Sequence, residues 1–257
     1  MSARYADSQL GTLLIRAHRD ACPMAVGAAL EPDDLDSAYA IQREVLLRRR
    51  LDIGGWKVGA KSPTSAPTGD IRAAALPAER ITLDPAFLAR RSYPFMGLEL
   101  EIAFTFSRTF VPRPEGYAEH EVLAALAQMA ACAEIVSSRV AGWPDVGPLT
   151  QLADMQNHGA LVVGEMVPYD AHFPFTGVNA ELHIDDSVIF SGHGSNPAGD
   201  PRRLLPWVVN HCIAQGWTLR AGDVVTTGSY IGMHFPQQGG RVGGVIGTLP
   251  PVRLMLM

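Results

Sequence analysis

The chain has 257 residues, 47% of them hydrophobic and 18% charged, with a formal net charge of −5. This length suits one large domain or one domain with an extra lobe, and the apolar fraction is enough for a good core. The acidic charge is spread along the sequence, which gives no electrostatic case for nucleic acid, and no run of about 18 uninterrupted apolar residues exists to span a membrane.

Residues 8 to about 51 read as largely helical. Leu10, Leu13, Leu14 and Ala17 fall at helical spacing, and Asp33 or Asp34 can cap a second helix carrying Leu35, Ala38, Tyr39, Gln42, Val45 and Leu46 on one face. The basic run Arg48–Arg50 ends that helix, where cations are favoured. Gly54 and Gly55 close the region, and Trp56–Ala60 then reads as a short strand. Lys57 lies on that strand between apolar neighbours. It is either a solvated lysine or one aimed into a site, where its charge would hold a carboxylate or move a proton. The segment 61–78 is rich in Pro, Ser, Thr, Gly and Ala and reads as a loop, in which Asp70 is the only acid.

Gly97–Phe106 is mostly apolar and reads as a buried strand. Glu99 and Glu101 sit two residues apart, so both point to one face, while Leu98, Leu100, Ile102 and Phe104 occupy the other. Paired carboxylates on an apolar surface resist ionisation unless a cation joins them, and a hard divalent ion such as Mg2+ or Mn2+ is the simplest partner. A solvated strand face stands as the alternative. Tyr117 to about Met129 is expected to be a helix, followed by a second buried strand over 131–137. That strand places Glu134 among apolar residues, where it is the natural third ligand. Asn157 and His158, just before a strand over 160–167, are candidates to line a pocket; as a lone histidine, His158 reads first as a structural hydrogen-bonding residue.

The second half reads as β-rich. A hairpin turns at Asp185–Asp186, and 192–197 forms a loop with no phosphate-binding signature. Asp200–Pro201 opens a helix that ends at Gly216, and Val224–Ser229 is a strand with a hydroxyl-rich exit at Thr227 and Ser229 beside Gly228. Many short strands with few long helices give an α+β fold with a rolled or barrel-like sheet. Cys22, Cys132 and Cys212 form no metal spacing, and Met1–Asp7 carries no secretory h-region, so a cytoplasmic protein with reduced thiols is expected.

Five segments match a known pattern in order: Gly-Trp-Lys-Val-Gly at 55–59, Glu-Leu-Glu-Ile-Ala-Phe at 99–104, Ala-Glu-Ile-Val-Ser-Ser-Arg at 133–139, Ala-Asp-x-x-x-x-Gly at 153–159 and Gly-Asp-Val-Val-x-Thr-Gly-Ser at 222–229. Together they resemble the 2-keto-4-pentenoate hydratase and 4-oxalocrotonate decarboxylase family of the fumarylacetoacetate hydrolase superfamily. The resemblance implies a mixed β-roll catalytic domain over 56–257 with a small helical lobe over 1–55. It implies Mg2+ or Mn2+ on Glu99, Glu101 and Glu134, with Lys57 in the active site. Relatives follow the lysine strand with an Asp-x-Pro and a Gly-x-Leu; here that loop is shorter, and Asp70 is its candidate for proton transfer. Asn157, His158, Thr227 and Ser229 are the candidate substrate-binding residues. The implied activity is a lyase that hydrates a 2-hydroxy-2,4-dienoate in aromatic-compound catabolism, acting on a small 2-oxo or 2-hydroxy acid as a homo-oligomer. Decarboxylation of a 2-oxo-3-enedioate, hydrolysis of an acylpyruvate and a non-catalytic partner subunit are the alternatives.

Overall fold

The computed structural model describes residues 8–66 and 70–257. Two helices lead. In α1 (Gln9–Asp20) the Ser8 hydroxyl accepts the Gly11 N–H as N-cap, and Leu10, Leu14 and Ala17 are buried. In α2 (Leu35–Arg49) Asp34 caps by accepting from the Ser37 N–H at 2.8 Å. The helices are joined through a buried Glu44, which accepts from the Ser8 hydroxyl and the Arg48 guanidinium, each at 2.6 Å. The intervening residues 21–34 are not α-helical, carrying only a 3-10 turn at Ala28–Leu30, so the expected helical region is two helices and a connection.

The strands are β1 (Ile53–Gly59), β2 (Arg72–Pro77), β3 (Ile81–Leu83), β4 (Ala86–Leu88), β5 (Gly97–Phe106), β6 (Leu126–Val136), β7 (His158–Val163), β8 (Val167–Pro168), β9 (Val178–Ile184), β10 (Ser187–Gly194), β11 (Val224–Thr226), β12 (Gly240–Ile246) and β13 (Val252–Leu256). Short helices α3 (Glu119–Leu123), α4 (Pro148–Ala153) and the longer α5 (Leu204–Ala214) lie between them. Among the described residues no helix is long and apolar enough to cross a membrane.

One mixed sheet has the order β2-β1-β11-β5-β6-β7-β3, with β8 added to β6. Its two outermost strands on that path, β2 and β3, are linked only by the 3-10 turn Ala78–Arg80, so the sheet curves to bring its ends together. The second sheet has the order β10-β9-β12-β13-β4. The two share a core: Leu98, Leu100, Ile102 and Phe104 of β5 are buried in one cluster with Val242, Ile246 and Leu254 and with Leu10, Leu14 and Val45 of the helices. The opposite face of β5 and β6 carries a smaller cluster that includes Ala103, Ala130, Cys132 and Leu161. The carboxylates stand on this second face.

The structure corrects two readings of the sequence. The loop expected over 61–78 contains β2, which pairs antiparallel with β1. Its run Ala73–Ala75 is fully buried but has none of the β-branched or aromatic residues that signal a strand. The helix expected from Tyr117 to Met129 ends at Leu123, and β6 begins at Leu126. Here the ten-residue β5 supplies a full-length pairing partner that outweighs local helical spacing. The hairpin at Asp185–Asp186 forms as expected, with β10 running on to Gly194.

Gly159 lies where β7 meets β6, and a Cβ there would stand 2.7 Å from the Ile135 carbonyl oxygen. Backbone cannot yield as a side chain does, so Gly159→Ala is expected to lower stability by about 1–3 kcal/mol, read as a lower midpoint in denaturant unfolding.

Candidate metal centre and active site

Glu99 and Glu101 project from the same face of β5, and Glu134 lies directly opposite Glu99 on β6. One carboxylate oxygen from each residue lies within 4.8 Å of the others. Among the described residues this is the only cluster of three or more acidic, histidine or cysteine side chains close enough to share an ion.

Each carboxylate has different neighbours. Glu134 is fully buried, and its Oε1 accepts from Lys57 Nζ at 2.7 Å and faces His158 Nδ1 at 2.9 Å. Its Oε2 has no partner among the described residues. Glu101 Oε2 accepts the Gly228 N–H at 2.9 Å. Gly228 has φ +96°, a conformation that L side chains rarely adopt, and this turns its N–H toward the carboxylate. Glu99 is the most open of the three.

Burial and mutual repulsion raise two of the acids. Glu99 is pushed up to about 8 by desolvation and then by Glu101 and Glu134. Glu101 is pushed up to about 7 by desolvation and then by Glu134. Burial also opposes ionisation of Glu134, but Lys57 and the His158 hydrogen bond overcome it and hold this acid below its usual value. Lys57 shows the converse: desolvation lowers it, and Glu134, Glu99 and Glu101 together more than restore it, so its ammonium form is favoured. Once ionised, the three clustered acids outnumber the one lysine and leave negative charge over. Together with the unpartnered Glu134 oxygen and the all-oxygen donor set, this fits a hard divalent cation.

Lys57 comes from β1, where it pairs with Ala74 of β2 and Thr226 of β11. Its Nζ also donates to the Gln156 carbonyl at 3.3 Å. That carbonyl belongs to a left-handed turn: Met155, Gln156 and Asn157 have φ of 50°, 50° and 58°. Three such non-glycine residues cost about 1–2 kcal/mol each. A buried clamp holds the turn. Arg139 donates to Asp154 Oδ1 at 2.5 Å and to the carbonyls of Asp154, Ser137 and His158, while Ser138 donates to Asp154 Oδ2.

A cavity of about 280 Å3 opens beside Lys57, lined also by Lys61, Arg72, Gln151, Gln156 and Asn157. Among the described residues, Arg72 Nη1 and Asn157 Oδ1 are buried without partners. Of the candidate residues, Lys57, Glu99, Glu101, Glu134 and His158 are brought together, and Asn157 lines the cavity. Thr227 and Ser229 are buried, with their hydroxyls turned to the carbonyls of Ile102 and Gly232. Asp70 is exposed and accepts the Ala66 N–H at 3.2 Å, and it does not line the cavity.

The fumarylacetoacetate hydrolase C-terminal family matches residues 59–252. The chain belongs to this family. It is 27% identical to a 2-keto-4-pentenoate hydratase of Burkholderia vietnamiensis, over 98% of this chain and 95% of the relative. A 2-hydroxyhexa-2,4-dienoate hydratase of Comamonas testosteroni is 30% identical over 51% of this chain and 48% of that protein. Among solved structures, 4-oxalocrotonate decarboxylase from Pseudomonas putida G7, complexed with magnesium and adipate, superposes with a TM-score of 0.82 at 17% identity, covering 98% of both chains. That likeness shows a shared fold.

In this member of the fumarylacetoacetate hydrolase family, Arg72 and Gln156 were not evident from sequence. Arg72 follows from the register: it pairs with Gly59, two residues from Lys57 on the same face, once β2 is known to be a strand. The Gly228 N–H and the Gln156 carbonyl carry no side-chain signal at all.

The raised acids give a pH prediction. Protons compete with a cation for Glu99 and Glu101, so Mg2+ or Mn2+ affinity is expected to rise as pH climbs through about 7 to about 8 and then level off. Calorimetry in two buffers of different ionisation enthalpy should show proton release on binding at pH 6.5 that fades well above pH 8.

Proposed function

We propose that this chain is a metal-dependent lyase that hydrates a 2-hydroxy-2,4-dienoate to a 4-hydroxy-2-oxo acid in the breakdown of aromatic compounds. The observation that carries the reading is the Glu99–Glu101–Glu134 cluster with Lys57 paired to Glu134, in a chain similar over 98% of its length to a 2-keto-4-pentenoate hydratase. The reading includes a β-roll catalytic domain over 56–257 with a helical lobe over 1–55, and a homo-oligomer working in the cytoplasm.

Glu99, Glu101 and Glu134 would hold Mg2+ or Mn2+, the class of ion also present in the magnesium and Mn2+ complexes of structural neighbours. When bound, such an ion supplies positive charge that stabilises the negative charge developing on the 2-oxygen of the substrate. Lys57 enters as an ammonium with three N–H donors, two of them directed at Glu134 and the Gln156 carbonyl. The third is available to the substrate carboxylate or for proton delivery to carbon as the dienol ketonises. Arg72, with an unpartnered nitrogen, adds a second cation for carboxylate binding, and the free Asn157 Oδ1 is placed to accept from the water that adds to the alkene. His158 orients Glu134, while Thr227 and Ser229 shape the strand exit that presents Gly228. Asp70 is kept as a proton-transfer candidate, with Lys57 placed ahead of it by its contact with the cavity.

The test is product analysis by NMR, with Mg2+ or Mn2+ and with EDTA, on 2-hydroxypenta-2,4-dienoate and 2-oxohex-3-enedioate in parallel. Metal-dependent formation of the 4-hydroxy-2-oxo acid from the first is the expected result. Loss of CO2 from the second instead would move the assignment to a decarboxylase. No turnover of either by metal-loaded protein would overturn both.

A further inference from the structure

A second cavity, of about 140 Å3, lies on the other side of His158. His18 from the end of α1, Arg49 from the end of α2, Arg80 from the turn between β2 and β3, Tyr93 and Arg139 are among the residues that line it. These residues are scattered from position 18 to 158 and converge only in the fold. Among the described residues, no carboxylate lines the cavity.

The charges do not balance locally. The Arg139 guanidinium is spent on Asp154 and on main-chain carbonyls. Among the described residues, Arg49 and Arg80 share a single acid, Glu79, at 3.3 and 3.9 Å, and that acid is half exposed at 51%. One positive charge is left over. Among the described residues, Arg49 Nη1 and His18 Nε2 are buried with no partner. Arg49, Arg80 and Arg139 all line this one small cavity; burial, followed by these three cations, holds His18 far below the usual imidazole range. A buried arginine N–H without an acceptor is rare in folded proteins, and arginine forks suit flat or tetrahedral oxyanions.

We propose that this cavity is an anion-binding site, distinct from the carboxylate cluster, that takes the carboxylate or phosphate group of a small molecule. It does not rest on the hydratase reading. The volume suits an acid of a few carbons or a single phosphate. His158 forms the wall toward the metal centre, with its Nδ1 on Glu134, so an occupant sits one side chain away from a proposed metal ligand.

The test uses the metal-loaded full chain, titrated in a calorimeter with succinate and, separately, with inorganic phosphate. Binding of at least one is expected, and which one binds identifies the source of the oxyanion. R49Q/R80Q should weaken it at least tenfold, because both side chains reach the cavity. E99Q should leave it unchanged, since a ligand on the metal centre would be lost with that acid. Cys22 on the rim is exposed, whereas Cys132 and Cys212 are buried, and it gives a second readout in the unmodified chain. Anionic iodoacetate should alkylate Cys22 faster, relative to neutral iodoacetamide, than it does a free thiol, and the bound anion should remove that preference. Absence of binding by both anions, binding unchanged in R49Q/R80Q, or binding lost in E99Q would each overturn the site. If R49Q/R80Q does not fold, a Cys22 reactivity ratio equal to that of a free thiol would do the same.

Discussion

Lys57→Met is expected to lower kcat by about 10²–10⁴-fold while leaving the chain folded and able to bind metal at pH 8. Methionine keeps the length and much of the volume of the lysine stem, and the position lies on a strand whose ladder bonds do not involve the side chain. What disappears is the ammonium that contacts Glu134 and the Gln156 carbonyl. Two consequences separate. On the proposed reading the substrate would lose its proton source or carboxylate anchor, which appears in kcat. Glu134 loses the strongest influence holding it ionised, so protons compete better for it and metal affinity falls below pH 7. At pH 8 that competition is weak, and removing a positive charge from beside a dication favours the ion.

Lys57→Arg separates catalysis from scaffolding. A guanidinium would restore the positive charge beside Glu134, but it is wider, planar and never gives up its proton near neutral pH. Metal binding should return to normal below pH 7 with turnover still depressed. Turnover equal to wild type in either variant, measured with saturating metal, would remove Lys57 from the chemistry and leave it a structural ion pair.

The carboxylate cluster was legible because two physical signals coincide. The strand period of two sets Glu99 and Glu101 on one face, and a lone acid in an apolar strand, Glu134, needs a partner. The register that puts Glu134 opposite Glu99 was not legible, since many pairings of β5 with β6 would keep the same faces buried. Ala73–Ala75 hid β2 because alanine says little about strand formation, and with β2 the second cation, Arg72, was hidden too. Leu126 and Met129 fit a helical stripe with Val122 and also fit the strand they occupy. Length and pairing decided between the two, and neither is a local property. The anion cavity was illegible in principle. Arg49 read correctly as a helix C-terminal cation, and nothing in its neighbours indicates that Arg80 and His18 stand across a cavity from it.

Arg139→Met is expected to destabilise the chain by about 3–5 kcal/mol, lowering Tm by about 6–20 °C at the sensitivity typical of this size. The loss comes from what remains. Asp154 stays buried, and burial already pushes its carboxyl up against the opposing pull of Arg139. Without the arginine, three carbonyls and a carboxylate oxygen lose their donors in a dry site. Asp154→Asn should be as harmful, because it strands the guanidinium instead. The double variant Asp154→Asn with Arg139→Met should cost less than the sum of the two, since removing both charges spares the isolated one. The clamp also fixes the left-handed turn at 155–157 that presents the Gln156 carbonyl to Lys57 and Asn157 to the cavity. Any Arg139 variant that remains folded should therefore lose turnover as well as stability, with metal affinity nearly unchanged because Glu99, Glu101 and Glu134 are held by β5 and β6. Additive costs in the double variant would show that Arg139 and Asp154 act separately, and turnover preserved in a folded Arg139→Met would show that the turn holds its shape without the clamp.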